Sequence, residues 1–346
     1  MRLKNCFHHH LFWPCITLVL LCLTNFFFNH GFFDIEVRNG ALYGSVIDVL
    51  NRAAPLMLVS LGMTLVIATR GIDVSVGATV AIAGAVVAVM IGGTLVIKDG
   101  VQSYVANFPM PLAIIAALAA ALLCGLWNGA LVAGAGMQPI IATLILMVAG
   151  RGVAQLITEG QIVTIYYEPF FFIGNGFLFG LPFALYIVLA VLLILLYLTQ
   201  RTSLGLFIQA VGLNPTAARF SGISARALVL WVYGFCGVTA GVAGLVITSN
   251  VKSADGNNAG LAMELDAILA VALGGTSLDG GRFSLIGSLI GALIIQTLTY
   301  AIYSLGVPPE INLVVKALVV FTVCLIQSER LRSMLFTPAI HLEEKS

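Results

Sequence analysis

The sequence predicts an all-α fold: a polytopic transmembrane helix bundle of about ten spans with interrupted or re-entrant segments. Three observations carry that expectation: the excess of apolar residues, their grouping into runs of membrane-crossing length, and the sidedness of the few charges. Of 346 residues, 60% are hydrophobic and 9% charged, and the mean hydropathy is +1.06. A water-soluble chain needs roughly a quarter of its residues charged, so the solvent for most of this chain is lipid. At about 20 residues per crossing, the apolar positions suffice for roughly ten helices and leave little for an extramembrane domain.

The first segment runs from Arg2 and Lys4 past His8, His9 and His10 into an apolar stretch over 11-28. No small-x-small cleavage site follows, which favours an uncleaved span with a cytoplasmic amino terminus over a signal peptide. Further apolar runs lie near 53-69, 78-97, 111-135, 139-157, 181-199, 228-249, 265-276, 284-305 and 311-327. With the amino terminus inside, alternation places Arg2, Lys4, Arg70, Arg201, Arg219, Arg226, Arg282, Arg330, Arg332 and Lys345 in the cytoplasm, against Arg38, Arg52, Lys98 and Lys252 outside. That is the bias of the positive-inside rule, and the reverse orientation inverts it. The expected organisation is a cytoplasmic amino terminus over 1-10, one transmembrane domain over 11-328 with a cytoplasmic connection near 200-227, and a cytoplasmic tail over 329-346.

The 36 glycines sit largely inside apolar segments. Pairs such as Gly125/Gly129, Gly237/Gly241 and Gly287/Gly291 let helix backbones approach closely, which in lipid substitutes for a hydrophobic driving force. Two glycine-rich places interrupt the spans. RGIDVSVGA sets Gly71, Asp73, Ser75 and Gly77 between two apolar runs, and GGTSLDGGRF sets Gly274, Gly275, Ser277, Asp279, Gly280 and Gly281 between two more. Each is followed by a small-residue helix. The repetition suggests related halves with interrupted helices, as in transporters; an ordinary tight cytoplasmic turn is the competing reading of each.

Enzymatic signatures are absent. There is no HExxH, GxSxG or cysteine-histidine cluster, and no lysine follows a glycine, which excludes a Walker A loop. The six cysteines have no metal-ligand spacing, so neither a cofactor nor a metal is expected. A net charge of +1 gives no field for nucleic acid. Arg151 and Lys316 are the ionisable residues clearly inside apolar runs; a structural role, neutralising carbonyl ends or a carboxylate, is expected of them above direct contact with a solute. Glu264 and Asp266 fall at a span start, near the outer interface. An interior poor in carboxylates argues against proton or sodium coupling and favours an external motor. In the 200-227 connection, Thr216 to Phe220 after Asn214-Pro215 reads as a short helix ended by Gly222.

Four separated stretches carry a recognisable pattern: LNRAAPLMLVSLGMTLVIATRGIDVSVGATVAIAGA, LILMVAGRGVAQLI, RTSLGLFIQAVGLNPTAARFSGI and ELDAILAVALGGTSLDGGRFSLIGSLIGALI. In that order they resemble the permease subunits of bacterial ATP-binding cassette importers for ribose, xylose and related monosaccharides, most closely the galactofuranose type. The resemblance implies a path between two permease chains, a heterodimer being preferred and a homodimer possible, with a separate cytoplasmic ATPase and a periplasmic sugar-binding protein. It implies an inner-membrane location and a coupling segment at Gly212, Asn214, Ala217, Ala218, Arg219, Ser221 and Gly222. The family's GGIDLSVG break corresponds to Gly71, Asp73, Ser75 and Gly77, with Arg70 in place of its first glycine; a positive φ there is costly for arginine. Arg70 is expected to snorkel or to pair with Asp73. The runner-up class is an independent secondary carrier for a small polar solute, its site formed by the two breaks.

Overall fold

The computed structural model describes residues 11–29, 31–38, 40–98, 101–306, 314–318 and 321–322. The expected cytoplasmic ends, 1-10 and 329-346, lie outside the described residues. The chain opens with α1 (Phe12–Phe28), the hairpin β1 (Glu36–Arg38) and β2 (Ala41–Tyr43), and α2 (Ser45–Ala68). Helix α3 (Val76–Ile91) leads to the hairpin β3 (Thr94–Lys98) and β4 (Val101–Val105), then α4 (Met110–Gly129) with a π-helical turn at Ala130–Gly134 and α5 (Pro139–Ile157). Next come β5 (Val163–Thr164), α6 (Glu168–Asn175), β6 (Phe177–Leu178), β7 (Leu181–Pro182) and α7 (Phe183–Arg201). The connection holds α8 (Leu204–Leu213) and α9 (Pro215–Phe220). Last are α10 (Ala225–Val251), β8 (Ser253–Ala254), α11 (Met263–Leu273) and α12 (Leu285–Ser304).

Helices α2 and α10 form the centre. Every residue of α2 from Ala53 to Ala68 is buried, which is what an all-round apolar helix becomes when other helices surround it. Helix α10 packs on α2, α3 and α4, while α11 and α12 close the other side of α2. The small-residue pairs make these approaches possible. A methyl group at Gly125 would lie 2.3 Å from the Tyr233 carbonyl oxygen, and one at Gly237 would lie 2.4 Å from the Ala121 carbonyl oxygen. The α4–α10 crossing is therefore backbone against backbone, the geometry that small residues permit in lipid. On the α11–α12 side, Gly291 stands against the Ala270 carbonyl in the same way.

Nine of the ten apolar runs fall on helices; the tenth, near 311-327, lies mostly outside the described residues. Among the described residues six segments are long and apolar enough to cross a bilayer: Ser45–Ala68, Met110–Gly134, Pro139–Ile157, Phe183–Arg201, Ala225–Val251 and Leu285–Ser304. The count of about ten is thus not established. Helix α11, with 11 residues, rises only about 16 Å, half of a hydrocarbon core of about 30 Å. Two boundaries differ from expectation. The run near 78-97 leaves the helix at Ile91 and continues as strand β3, Gly92 taking a positive φ of 42° at the change. The 200-227 connection carries an additional apolar helix, α8, which sequence length alone reads as loop.

The bundle has two distinct ends. The amino end of α10 gathers the connection 202–224 and both glycine-rich breaks. The opposite end carries β5 paired with β8 and the hairpin β6–β7, with Leu42 of β2 donating its N–H to the Gly180 carbonyl.

Candidate functional site

Three of the sequence-flagged segments converge at the amino end of α10. Helix α2 ends there in a Schellman arrangement: the Arg70 N–H donates to the Ile67 carbonyl and the Gly71 N–H to the Val66 carbonyl, both at 2.9 Å. That geometry requires a left-handed residue, and Arg70 supplies it at φ 63°. The guanidinium does not pair with Asp73. Its Nε donates instead to the Asp279 carbonyl oxygen at 2.9 Å, tying the first break to the second. A second tie runs from the Gly281 N–H to the Ala68 carbonyl, 2.9 Å.

Gly212, at the end of α8, sits between them. A methyl group on it would stand 1.9 Å from the Ala68 carbonyl oxygen and 2.5 Å from the Gly281 nitrogen. The two breaks and the end of α8 therefore interlock through main chain. They do not form a central site, so the geometry required by an independent carrier with both breaks at its middle is not present. Gly280 belongs to the same knot, a methyl there meeting the Arg70 side chain at 2.5 Å. Gly274 lies further along, pressed on Gly287 of α12. Gly275 makes the following turn at φ 83°, and the Ser277 hydroxyl accepts the Asp279 N–H at 3.2 Å.

Beyond the knot, Asn214 caps α9. Its side-chain oxygen accepts the Thr216 and Ala217 N–H groups at 3.0 Å each, a cap that Pro215 at the first helical position complements. Gly222 ends the helix at φ 83°. Ala218 is buried with Val211 and Ala225, holding α9 against α8 and α10. The outward side carries Ala217, Arg219, Ser221 and Phe220, the last 89% exposed. Phe220 is the residue that sequence reading missed here; its signal was an aromatic at the end of a short helix whose alanine faces inward.

The remaining break residues face the bundle. Asp73 is 1% exposed. Its Oδ1 accepts from the Ser75 N–H at 2.9 Å, the Ser75 hydroxyl at 2.7 Å and the Asn128 side-chain amide at 3.3 Å. Asn128 also donates to Ser75 Oγ at 2.7 Å. This carboxylate lies just ahead of the α3 amino end, where the helix dipole favours negative charge. Gly77, in the first turn of α3, faces Glu264: a methyl there would be 2.3 Å from Glu264 Oε2. Glu264 is 5% exposed, and Oε2 has no hydrogen-bond partner among the described residues. The expectation of an interior poor in carboxylates is therefore corrected. Glu264 leaves the interface because α11 starts halfway through the bundle, level with the first turn of α3.

The two cations take different partners. Arg151, half-buried on α5, donates to the carbonyls of Ala259 and Gly256 in the connection before α11. Lys316 pairs with Asp266 at 2.6 Å. Both satisfy groups of the fold, the kind of role their burial in apolar runs implies. In the same connection, Asp255 is held below the usual carboxylate range, chiefly by the Asn258 side-chain amide.

The family model described as branched-chain amino acid transport system / permease component matches residues 45–324. The chain belongs to this permease family. The permease is 48% identical over 93% of its length to the galactofuranose transporter permease protein YtfT of Escherichia coli, covering 92% of that protein. It is 36% identical to the fructose import permease protein FruF of Bifidobacterium longum, over 96% of this chain and 91% of the relative. It is likewise 36% identical to the ribose import permease protein RbsC of Escherichia coli, over 83% and 86%. No solved structure matches. With its long apolar helices, the permease is a multi-pass membrane protein and a transport component, not an enzyme.

Proposed function

We propose that this permease is the membrane subunit of an ATP-driven sugar importer of the bacterial inner membrane, conducting a monosaccharide of the galactofuranose or ribose kind. The carrying observation is the near full-length match to sugar permeases, foremost the galactofuranose relative. In this reading a periplasmic binding protein delivers the sugar to the end bearing the hairpins. A cytoplasmic ATPase docks at the end bearing α9, and a second, different permease subunit completes the path.

The coupling step follows from the knot. A push on α9 is carried to α8 through Ala218, and from Gly212 to the Ala68 carbonyl and Gly281 without an intervening side chain. Main-chain contact has little slack, so displacement of the coupling segment moves the α2 end and the second break together. Ala217, Arg219, Phe220 and Ser221 would meet the ATPase, Phe220 as the apolar knob. Asn214, Ala218 and Gly222 would hold the helix in shape.

The test is reconstitution with the candidate ATPase, partner permease and binding protein. ATP-dependent sugar uptake is expected, with Phe220→Glu and Gly222→Glu retaining assembly of the permease but losing coupling of hydrolysis to uptake. Uptake by this chain alone, or uptake indifferent to ATP, would overturn the reading.

A further inference from the structure

The end of the bundle opposite the coupling segment holds an open cavity of about 510 Å³, formed within this single chain between the amino end of α2, the carboxyl end of α10 and the outer half of α12. Its position and lining set it apart from every site described above. The polar groups are Asp48, Asn51, Arg52, Asn175, Asn250 and Gln296, with Pro55, Ile247 and Val251 as the apolar remainder. A pocket of this size falls within the range that takes small organic ligands, but such pockets are ordinarily apolar with a few polar groups. Here the proportion is reversed, in a chain of which 60% is hydrophobic.

These polar groups are not used up by the fold. Among the described residues, no hydrogen bond or ion pair engages the side chains of Asp48, Arg52, Asn250 or Gln296. Asn51 donates its amide to the Gly174 carbonyl at 3.3 Å, while its Oδ1 is buried without a partner. Pro55, one turn further along α2, has no N–H to return to the Asn51 carbonyl. Asn51 thus presents an unanswered side-chain acceptor beside a carbonyl that lacks its usual intrahelical donor. Gln296 lies within the membrane-length helix α12, where a carboxamide is costly unless it finds a partner.

The chemistry that answers all of these at once is a compact molecule bearing several hydroxyls, each able to donate and to accept. Carboxamides and an Asp–Arg pair one turn apart on α2 read vicinal hydroxyls without requiring any net charge on the ligand. A lipid tail fails because the lining is polar, and a free anion fails because Asp48 stands beside Arg52. We propose that this cavity is a binding subsite for a neutral polyhydroxylated molecule of monosaccharide size, held by Asn51, Arg52, Asn250 and Gln296. It rests on the sugar-permease reading and deepens it, placing a sugar-holding station inside one subunit rather than solely between two.

The full chain in lipid nanodiscs, without ATPase or binding protein, is probed with free D-ribose, D-fructose and D-galactose by saturation-transfer difference NMR. Transfer to at least one sugar is expected. Loss of one hydrogen-bonding partner corresponds to roughly fivefold weaker binding, so Gln296→Leu and Arg52→Gln should each reduce it by about that factor. Arg38→Gln, the same charge change on the exposed β1 hairpin, should leave it intact. Circular dichroism of each variant reports folding, and Arg52, at an exposed position, keeps the test open if Gln296→Leu misfolds. No transfer with the unaltered chain, or transfer unchanged in folded Gln296→Leu and Arg52→Gln, would overturn the subsite. ATP-driven uptake in the reconstituted transporter separates the two readings. Uptake with a silent cavity refutes the subsite alone, whereas a chain that binds sugar here but supports no ATP-driven uptake refutes the importer reading and leaves the subsite standing.

Discussion

The two ends of this bundle are built from opposite materials, main chain packed on glycines at one and polar side chains at the other. At the end bearing α9, Gly212, Ala68, Gly280 and Gly281 bring main chain against main chain, and the Arg70 side chain is bound through Nε to the Asp279 carbonyl. At the far end, helices α2, α10 and α12 present polar side chains to a cavity of about 510 Å³. The difference teaches where rigidity is placed. The end that receives force under the proposed mechanism has no room to yield, and the end proposed to receive solute keeps hydrogen-bonding capacity in reserve.

The contrast breaks first at Gly212. Gly212→Val inserts atoms 1.9 Å from a main-chain oxygen, and relief requires moving α2 or the second break. The expected cost is at the top of the overpacking range, about 3 kcal/mol or more, read as a large fall in melting temperature of the purified chain. Gln296→Leu at the far end should instead melt within about 1 kcal/mol of the parent, since it removes an unpartnered polar group. Equal losses at the two positions would erase the distinction.

A smaller effect is expected at Lys316→Met, which leaves Asp266 without its partner. The pair is partly exposed, 15% and 28% at the two side chains, so the cost lies between those of surface and buried pairs, about 1 to 3 kcal/mol. A double-mutant cycle with Asp266→Asn measures it. Asn214→Ala removes the α9 cap at about 1 kcal/mol; because α9 is a short surface helix, the loss should appear as faster local hydrogen exchange over 215–221 and as weaker ATPase coupling, with global melting little moved. Smallest of all is Arg70→Gly. It relieves a left-handed arginine, worth about 1 kcal/mol, and forfeits a hydrogen bond of similar worth, so melting should shift by less than about 0.5 kcal/mol. A large loss there would show that the Asp279 contact holds the knot.

Much of this was legible in the sequence because apolar length and glycine position are local properties. The run at 139-157 reproduces α5, and the Asn214-Pro215 turn with Gly222 marks the bounds of α9 correctly. The positive φ expected for a glycine at position 70 is present although arginine occupies it. What escaped depends on which segments meet. No local signal says that 70 and 279 touch, nor that Ala218 faces inward while Phe220 faces out. Glu264 reads as interfacial because it heads an apolar run, with nothing local to show how deep that run begins, and Asn128 and Gln296 stay inconspicuous because one polar residue hardly alters the mean hydropathy of a long run. Their isolation inside apolar helices was the available signal.

The unequal helices carry a consequence for the surrounding lipid. Helix α10, with 27 residues, rises about 40 Å, and α11, with 11, about 16 Å, yet both pack on α2. The protein thus has no single hydrophobic thickness. Tilting that fits α10 to a bilayer of about 30 Å cannot also fit α11, so the mismatch is absorbed by local deformation of the lipid and by polar groups drawn inward. Arg151, answering two carbonyls of the connection ahead of α11, stands at the seam where the bilayer's thickness is made up by protein.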